Sequence, residues 1–353
     1  MSPIPPAKPL RVVAIGGGTG LSTLLRGLKR YVATPPGAAE APCKSPACII
    51  HDLAAVVTVT DDGGSSGRLR EDFNMLPPGD VRNCMVALSE DEHLLSRLFQ
   101  FRFDQGDLRG HSFGNLFVAA LSHITGDFAQ AVQMSSQILA TRGHIYPATN
   151  TNVTLSARMD DGSIVHGETS ITASSRRIHE LMLHPADAPP LPEALDAIAA
   201  ADLITLGPGS LYTSLVTNLL VHGIPQALLA SPARRVYIGN LMTQANESLG
   251  LTASQHLEIL HNHAGQRIFD YALINTAPIS PTLLEKYALE GQTPIEADLD
   301  RIRALGVEPI TGNFVHEGDV LRHDPDKVAA ALLQLGLRAH NPTPYSLLPT
   351  PCT

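Results

Sequence analysis

The sequence predicts an α/β protein: a Rossmann-like, doubly wound, mainly parallel sheet carrying a small antiparallel β insertion. Three observations predict it. Short apolar runs alternate with amphipathic stretches along most of the 353 residues, the pattern of repeated strand–helix units. Two of those runs end in glycine loops that open helices, at residues 16–20 and 207–210, where open sheets bind their ligands. Asp160, Asp161 and Gly162 form a hairpin signal between two further runs, which a purely parallel sheet does not contain.

Taken in order, residues 1–10 read as a Pro-rich tail and 11–15 as a buried strand ended by glycines. A helix follows over 21–31, with Leu21, Leu24, Leu25 and Leu28 on one face. Residues 32–52 are Pro- and Ala-rich and read as a flexible surface insertion. A second strand spans 53–60, and a polar glycine-rich segment leaves its end. Helical periodicity covers 81–89, 94–101, 115–125 and 128–141. Strands over 152–158, 163–168 and 178–184 make an antiparallel lobe at about 150–185. Helix 193–201 leads to strand 202–206 and the second glycine loop. Strands at 226–230, 236–240 and 271–275 then alternate with helices, one at 254–263, and 327–337 is a last amphipathic helix. Residues 11–338 thus form one domain, with a tail at 339–353.

Composition narrows the function. The formal charge is −9, so no basic field favours nucleic acid. No run of about 18 apolar residues is present, so no transmembrane segment is expected. The first residues lack the apolar core of a secretory signal. Cys43 and Cys48 have no second close pair to complete a zinc site. Free thiols and a cytoplasmic location are expected.

The first candidate site is Gly17, Gly18, Thr19 and Gly20. Glycines let backbone approach a phosphate, and the helix that follows aims free N–H groups at an anion. The third position of the dinucleotide fingerprint falls on Leu21, and the P-loop Lys is missing. The alternative is a plain tight turn. The second candidate is residues 58–70, TVTDDGGSSGRLR. Asp61 or Asp62 suits a ribose hydroxyl or Mg²⁺. Gly64 makes the loop pliable, Ser65 and Ser66 offer hydroxyls, and Arg68 and Arg70 can fork onto phosphate. The alternative is a solvated loop with Arg70 paired to Glu71 or Asp72.

Asp80 reads equally as a helix N-cap and as a ligand group, with Arg82 and Asn83 in the first turn behind it. His111 and Asn115 are four apart. His111 can serve as acid or base, or as a hydrogen-bonded structural residue, and Asn115 can contact a base or phosphate. Gly207, Gly209 and Ser210 repeat the strand–loop–helix arrangement, and the residues after Ser210 exclude a hydrolase nucleophile elbow. Asn240 ends a strand where side chains reach a cleft. Tyr287 can stack on a base and Arg322 can clamp a diphosphate, or both are ordinary surface residues.

Together these motifs resemble the CofD-like superfamily, and within it the YvcK-like proteins called gluconeogenesis factors. The matching segments are AIGGGTGLSTLLRGLK (14–29), TVTDDGGSSGRLR (58–70), PPGDVRN (77–83), GHSFGNL (110–116), LGPGSLYTS (206–214), IGNLMTQ (238–244) and RHD (322–324). The resemblance runs from about residue 11 to 337. It implies a Rossmann-like fold, UDP-sugar binding, control of cell shape and growth on gluconeogenic carbon sources. Transferase relatives move a phospholactyl group from a guanosine diphosphate donor with Mg²⁺, held by an Asp in the place of Asp61 or Asp62. The longer loop here fits the YvcK-like branch better.

Three functions follow as expectations: a non-catalytic UDP-sugar-binding regulator, a Mg²⁺-dependent transferase of a phosphoryl-linked group, and a nicotinamide-dependent dehydrogenase, against which the missing third fingerprint glycine speaks. No nucleophile or matched acid–base pair stands out, which favours binding. A homo-oligomer is compatible with the sequence, which names no protein partner in the cell envelope or elsewhere.

Overall fold

The computed structural model of the chain describes residues 9–33, 48–90, 94–245 and 247–338. Strand β1 (Leu10–Gly16) is followed by helix Gly18–Lys29 and strand β2 (Ile50–Val57). Five helices lie between β2 and β3 (His144–Pro147). Strands β4 (Thr154–Met159), β5 (Ile164–His166) and β6 (Ile178–His184) come next, then β7 (Leu203–Leu206), β8 (Arg234–Ile238), β9 (Tyr271–Asn275) and β10 (Glu308–Gly312). A small hairpin, β11 (Val315–Glu317) and β12 (Leu321–His323), precedes the final helix, Pro325–Arg338.

Seven strands form one sheet in the order β10-β9-β8-β7-β1-β2-β3, and every pairing in it is parallel. From β1 the chain winds outward to β3, and from β7 it winds outward the other way. Right-handed crossovers then put the two sets of helices on opposite faces. Strands β5, β4 and β6 form the antiparallel insertion. Because both sheet faces are covered, β1, β2, β7 and β8 carry continuous apolar runs such as Val12–Ile15 and Val236–Ile238, all nearly inaccessible to solvent.

Several expectations shift. The second strand begins at Ile50, inside the segment read as an insertion, because Ile50 pairs with Leu10 and is fully buried. Residues 34–47 of that insertion, and the tails at 1–8 and 339–353, lie outside the described residues. The polar stretch read as a loop after β2 is helix Gly64–Phe73. Residues 226–230, read as a strand, belong to helix Ile224–Ala230, opened by Pro225 in its first turn. A seven-residue apolar run has no periodicity to separate the two. Glu168 lies outside β5 and starts helix Glu168–Ala173. Strands β3, β10, β11 and β12 were not anticipated. Cys84 is a buried free thiol, but Cys48 is disulfide-bonded, against the free-thiol expectation. No helix among the described residues is long and apolar enough to cross a membrane.

Candidate functional site

The direction of winding reverses between β1 and β7, which makes their carboxyl ends the switch point where open sheets bind ligands. Both glycine loops leave the sheet there. They touch through backbone: a Cβ on Gly20 would collide with the Pro208 carbonyl. The helix Gly18–Lys29 has Gly17 as N-cap, no side-chain cap and no acidic residue in its first turn. Asp80, from another helix, takes the Gly18 N–H, and the first-turn N–H groups that follow it, with the positive helix end, are left to face an anion. Beneath the loops, the fully buried Asn218 donates from Nδ2 to the carbonyls of Gly16 (3.2 Å) and Ser214 (2.8 Å). Ser214 belongs to a π-helical segment, Leu211–Val216, that continues from the second loop.

Above them lies a cavity of about 290 Å³, lined by Gly17, Gly18, Thr19, Gly20, Thr23, Pro208, Gly209, Ser210 and Ser214 on the loop side. Asn240, Leu241, Met242, Thr243, Gln244, Tyr287, Gln292, Leu321, Arg322 and His323 close the other side. Gln244 donates to the Ser210 hydroxyl (3.0 Å), and Asn240 donates to Gln244 Oε1 (3.3 Å). The Tyr287 hydroxyl accepts the Leu321 N–H (3.0 Å), tying helix Pro281–Ala288 to the β11–β12 hairpin. Burial pushes the His323 pKa down to about 4. Its neutral ring places Nε2 3.1 Å from the Gly239 carbonyl. Arg322 stands exposed at the rim and is the lining residue with a permanent positive charge.

A polar cluster adjoins this cavity behind Gly17. A Cβ on Gly17 would meet Thr58 Oγ1 and Asp80 Oδ2. Asp80 accepts hydrogen bonds from Thr58 (3.3 Å) and from the Gly18 backbone N–H. Burial nevertheless pushes its pKa up to about 6, and the nearby Asp61 adds to the rise. Asp61 accepts the Gly63 N–H on Oδ1 (2.9 Å), while its Oδ2 and Ser66 Oγ crowd the open side of Gly79. Asn115 donates to Ser66 (3.4 Å), and Ser65 Oγ lies 3.1 Å from His111 Nδ1. Burial, then the charge of Arg68, lowers the His111 pKa, so its ring is neutral at pH 7. Arg82 donates to Asn83 (2.7 Å); burial lowers its pKa while Asp80 and Asp61 oppose that.

The structure thus gathers Gly17, Gly18, Thr19, Gly20, Gly209, Ser210, Asn240, Tyr287 and Arg322 around the cavity. It sets Asp61, Ser65, Ser66, Arg82, Asn83, His111 and Asn115 in the adjoining cluster. Others serve elsewhere. Asp62 accepts the N–H (2.8 Å) and hydroxyl (2.5 Å) of Thr169, fastening the inserted lobe to the second-strand loop. Arg68 donates to the Arg109 carbonyl, and Arg70 donates to Asn152 and the Val153 carbonyl, so neither reaches the cavity. Gly64 has positive φ and open space around it, and Gly207 packs under Ile238. Asp80 is not the N-cap; Pro78 holds that position. His111 and Asn115 do not share a helical face, because Ser112 caps the helix between them.

Sequence reading missed Gln292 in the cavity, and Thr23, Ser214, Gln244 and His323 except as letters of motifs. It also missed Glu168, which accepts from Thr60 (2.8 Å) and whose pKa burial raises well above the carboxylate range, helped by Asp80 and Asp61. Glu168 reaches the cluster from the inserted lobe, a contact that no local pattern announces.

Comparison with known proteins places this architecture. The family model for 2-phospho-L-lactate transferase CofD matches residues 12–315. The chain belongs to the CofD family. Within it, the chain falls in the gluconeogenesis-factor branch, also called YvcK or UPF0052. It is 48% identical over 329 residues to the gluconeogenesis factor of Halalkalibacterium halodurans, covering 93% of this chain and 97% of that one. It is 45% identical over 327 residues to the gluconeogenesis factor of Bacillus subtilis, covering 92% and 98%. A crystal structure of a UPF0052 family member from Bacillus halodurans superimposes with a TM-score of 0.85 at 49% identity, covering 92% of this chain and 99% of that one. Of the expected metal pair, Asp62 is engaged by Thr169, so the neighbouring carboxylates that could hold a divalent cation beside the first glycine loop are Asp61 and Asp80. No group of three or more His, Cys, Asp or Glu among the described residues is arranged for a metal. Two hard carboxylates completed by ligand phosphate oxygens suit Mg²⁺, whereas a structural zinc site needs four ligands.

Proposed function

We propose that this chain is a cytoplasmic regulatory protein that binds a UDP-sugar or related nucleotide in the cavity over β1 and β7, and that supports growth on gluconeogenic carbon sources and cell shape. One observation carries the reading: two glycine loops in backbone contact frame a helix N-terminus whose N-cap, Gly17, has no side chain, with Arg322 on the opposite rim. That arrangement suits a diphosphate, whose charge an acidic protein must neutralise locally. The names of the relatives, gluconeogenesis factors, support the part that concerns growth on gluconeogenic carbon sources. The cavity lining offers amides, hydroxyls, one guanidinium and one neutral histidine, a set suited to holding a ligand.

Calorimetric titration with UDP-glucose, UDP-N-acetylglucosamine, GDP and NAD tests the proposal. A UDP-sugar is expected to bind best, and Arg322→Ala to weaken it roughly 10- to 150-fold, the worth of one charge-assisted hydrogen bond. Failure of every nucleotide to bind, or an unchanged affinity in the variant, overturns it. The closeness of Asp61 and Asp80 to the glycine loop favours one second reading, a Mg²⁺-dependent transferase of a phosphoryl-linked group. Positioning and electrostatics suffice for such chemistry, and turnover of the bound nucleotide with Mg²⁺ decides it.

A further inference from the structure

A second cavity, of about 400 Å³, opens at the carboxyl ends of β8 and β9. It shares Asn240 and Leu241 with the glycine-loop cavity, so the two are neighbours along one sheet edge. Their chemistry differs. The second is walled by Ile274, Ile279, Leu284 and Ile295, and no charged side chain lines it. Its inner amide, Asn275, is already committed: it donates to the Ala277 carbonyl (3.0 Å) and accepts the Phe314 N–H (3.1 Å). Asn240, on the shared wall, has one hydrogen bond from its Nδ2 and keeps its Oδ1 for a ligand.

Resting on the nucleotide-sugar reading above, we propose that this second cavity takes the nucleobase, and so sets the direction in which the ligand lies. A sugar carries a hydroxyl on nearly every carbon, and each one buried without a partner costs free energy. Aliphatic walls reject it. A flat heterocycle buries its faces against such walls and needs only an edge contact, which Asn240 supplies. Neighbouring strands are about 4.8 Å apart, so pockets over β8–β9 and over β7–β1 sit roughly 10 Å apart, a gap that a ribose bridges. The base lies over β8 and β9, the diphosphate on the glycine loops, and the sugar points toward β2, where Thr58, Asp61 and Asp80 offer polar partners.

Calorimetry on the full chain with UDP-glucose, UDP and inorganic pyrophosphate tests this, using Ala277→Phe to fill the cavity and Leu284→Asn to make its wall polar. Circular dichroism and thermal melts check the fold of each. Either variant that folds is expected to weaken UDP-glucose and UDP about tenfold or more and to leave pyrophosphate unchanged. Arg322→Ala weakens all three. If both folded variants bind UDP-glucose as the wild type does, the base lies elsewhere and the nucleotide reading survives. If the wild type binds neither UDP-glucose nor UDP, both fall together.

Discussion

Asp80 illustrates how much one enclosed side chain can couple. Its carboxylate holds the Gly18 N–H and the Thr58 hydroxyl, and so joins the first glycine loop to the second strand. Its folded pKa, about 6, lies above the ordinary 3.8 because burial penalises the charge. The folded state therefore binds the proton more tightly than the unfolded one. Below pH 3.8 no stability is lost on this account. As pH rises from there through about 6, stability falls by up to about 3 kcal/mol, and it stays at that lower level above. Asp80→Asn keeps an acceptor for both donors and removes the titration. Urea unfolding is expected to find the variant gaining on the wild type between pH 4 and pH 7. Mg²⁺ at pH 7 should stabilise the wild type more than the variant if Asp80 holds the cation. Equal pH profiles would mean that the carboxylate ionises without penalty.

At the scale of elements, the candidate site depends on how two loop–helix junctions are locked together. The helix Gly18–Lys29 and the π-helical segment Leu211–Val216 come from parts of the chain nearly two hundred residues apart. Asn218 bridges them by donating to Gly16 and Ser214. π-Helical turns are uncommon and cluster at functional sites; here the turn presents Ser214 to the cavity. Asn218→Ala leaves two buried carbonyls without this donor, and a loss of about 1–3 kcal/mol is expected in urea unfolding. UDP-sugar affinity should fall as well, because the loop frame loosens. A stable variant with weakened binding would place Asn218 in the site rather than in the frame. The helix Gly64–Phe73 makes a related point. Its first residues, Gly64 to Gly67, read as a flexible loop by composition, yet its N-terminal end is what sets Ser65 and Ser66 beside His111 and Asn115.

Across the whole molecule, the sheet order decides what can be removed. Ala33 donates to the Ile50 carbonyl, and Ile50 donates to the Tyr31 carbonyl, so the chain is pinned on both sides of residues 34–47. Loop closure costs change slowly with length. Replacing residues 35–46 by a short Gly/Ser linker is expected to leave UDP-sugar affinity and melting temperature nearly unchanged. Extending the deletion to residue 52 removes the start of β2, including the fully buried Ile50, and should prevent folding. Loss of binding in the shorter deletion, with the fold intact, would assign that segment to the site.

The amino-acid sequence by itself determined the architecture and half of the cavity. Apolar runs ended by glycines mark strand–loop–helix junctions, because buried parallel strands need no alternation and tight loops need glycine. Residues 16–20 and 207–210 were legible for that reason, and so was the sharing of one sheet edge by both loops. Local pattern could not separate helix Ile224–Ala230 from a strand, because seven residues complete only two turns. Tertiary structure alone decided which charges face the cavity. Arg68, Arg70 and Arg322 are chemically alike in sequence, but Arg70 is drawn under the lobe by carbonyls of residues 60 and 153, and Arg68 is held by that of Arg109. Arg322 alone of the three lines the cavity. The partners that direct each guanidinium lie 10 to 83 residues away along the chain, and a side chain's direction follows from those partners, which only the packed sheet brings near.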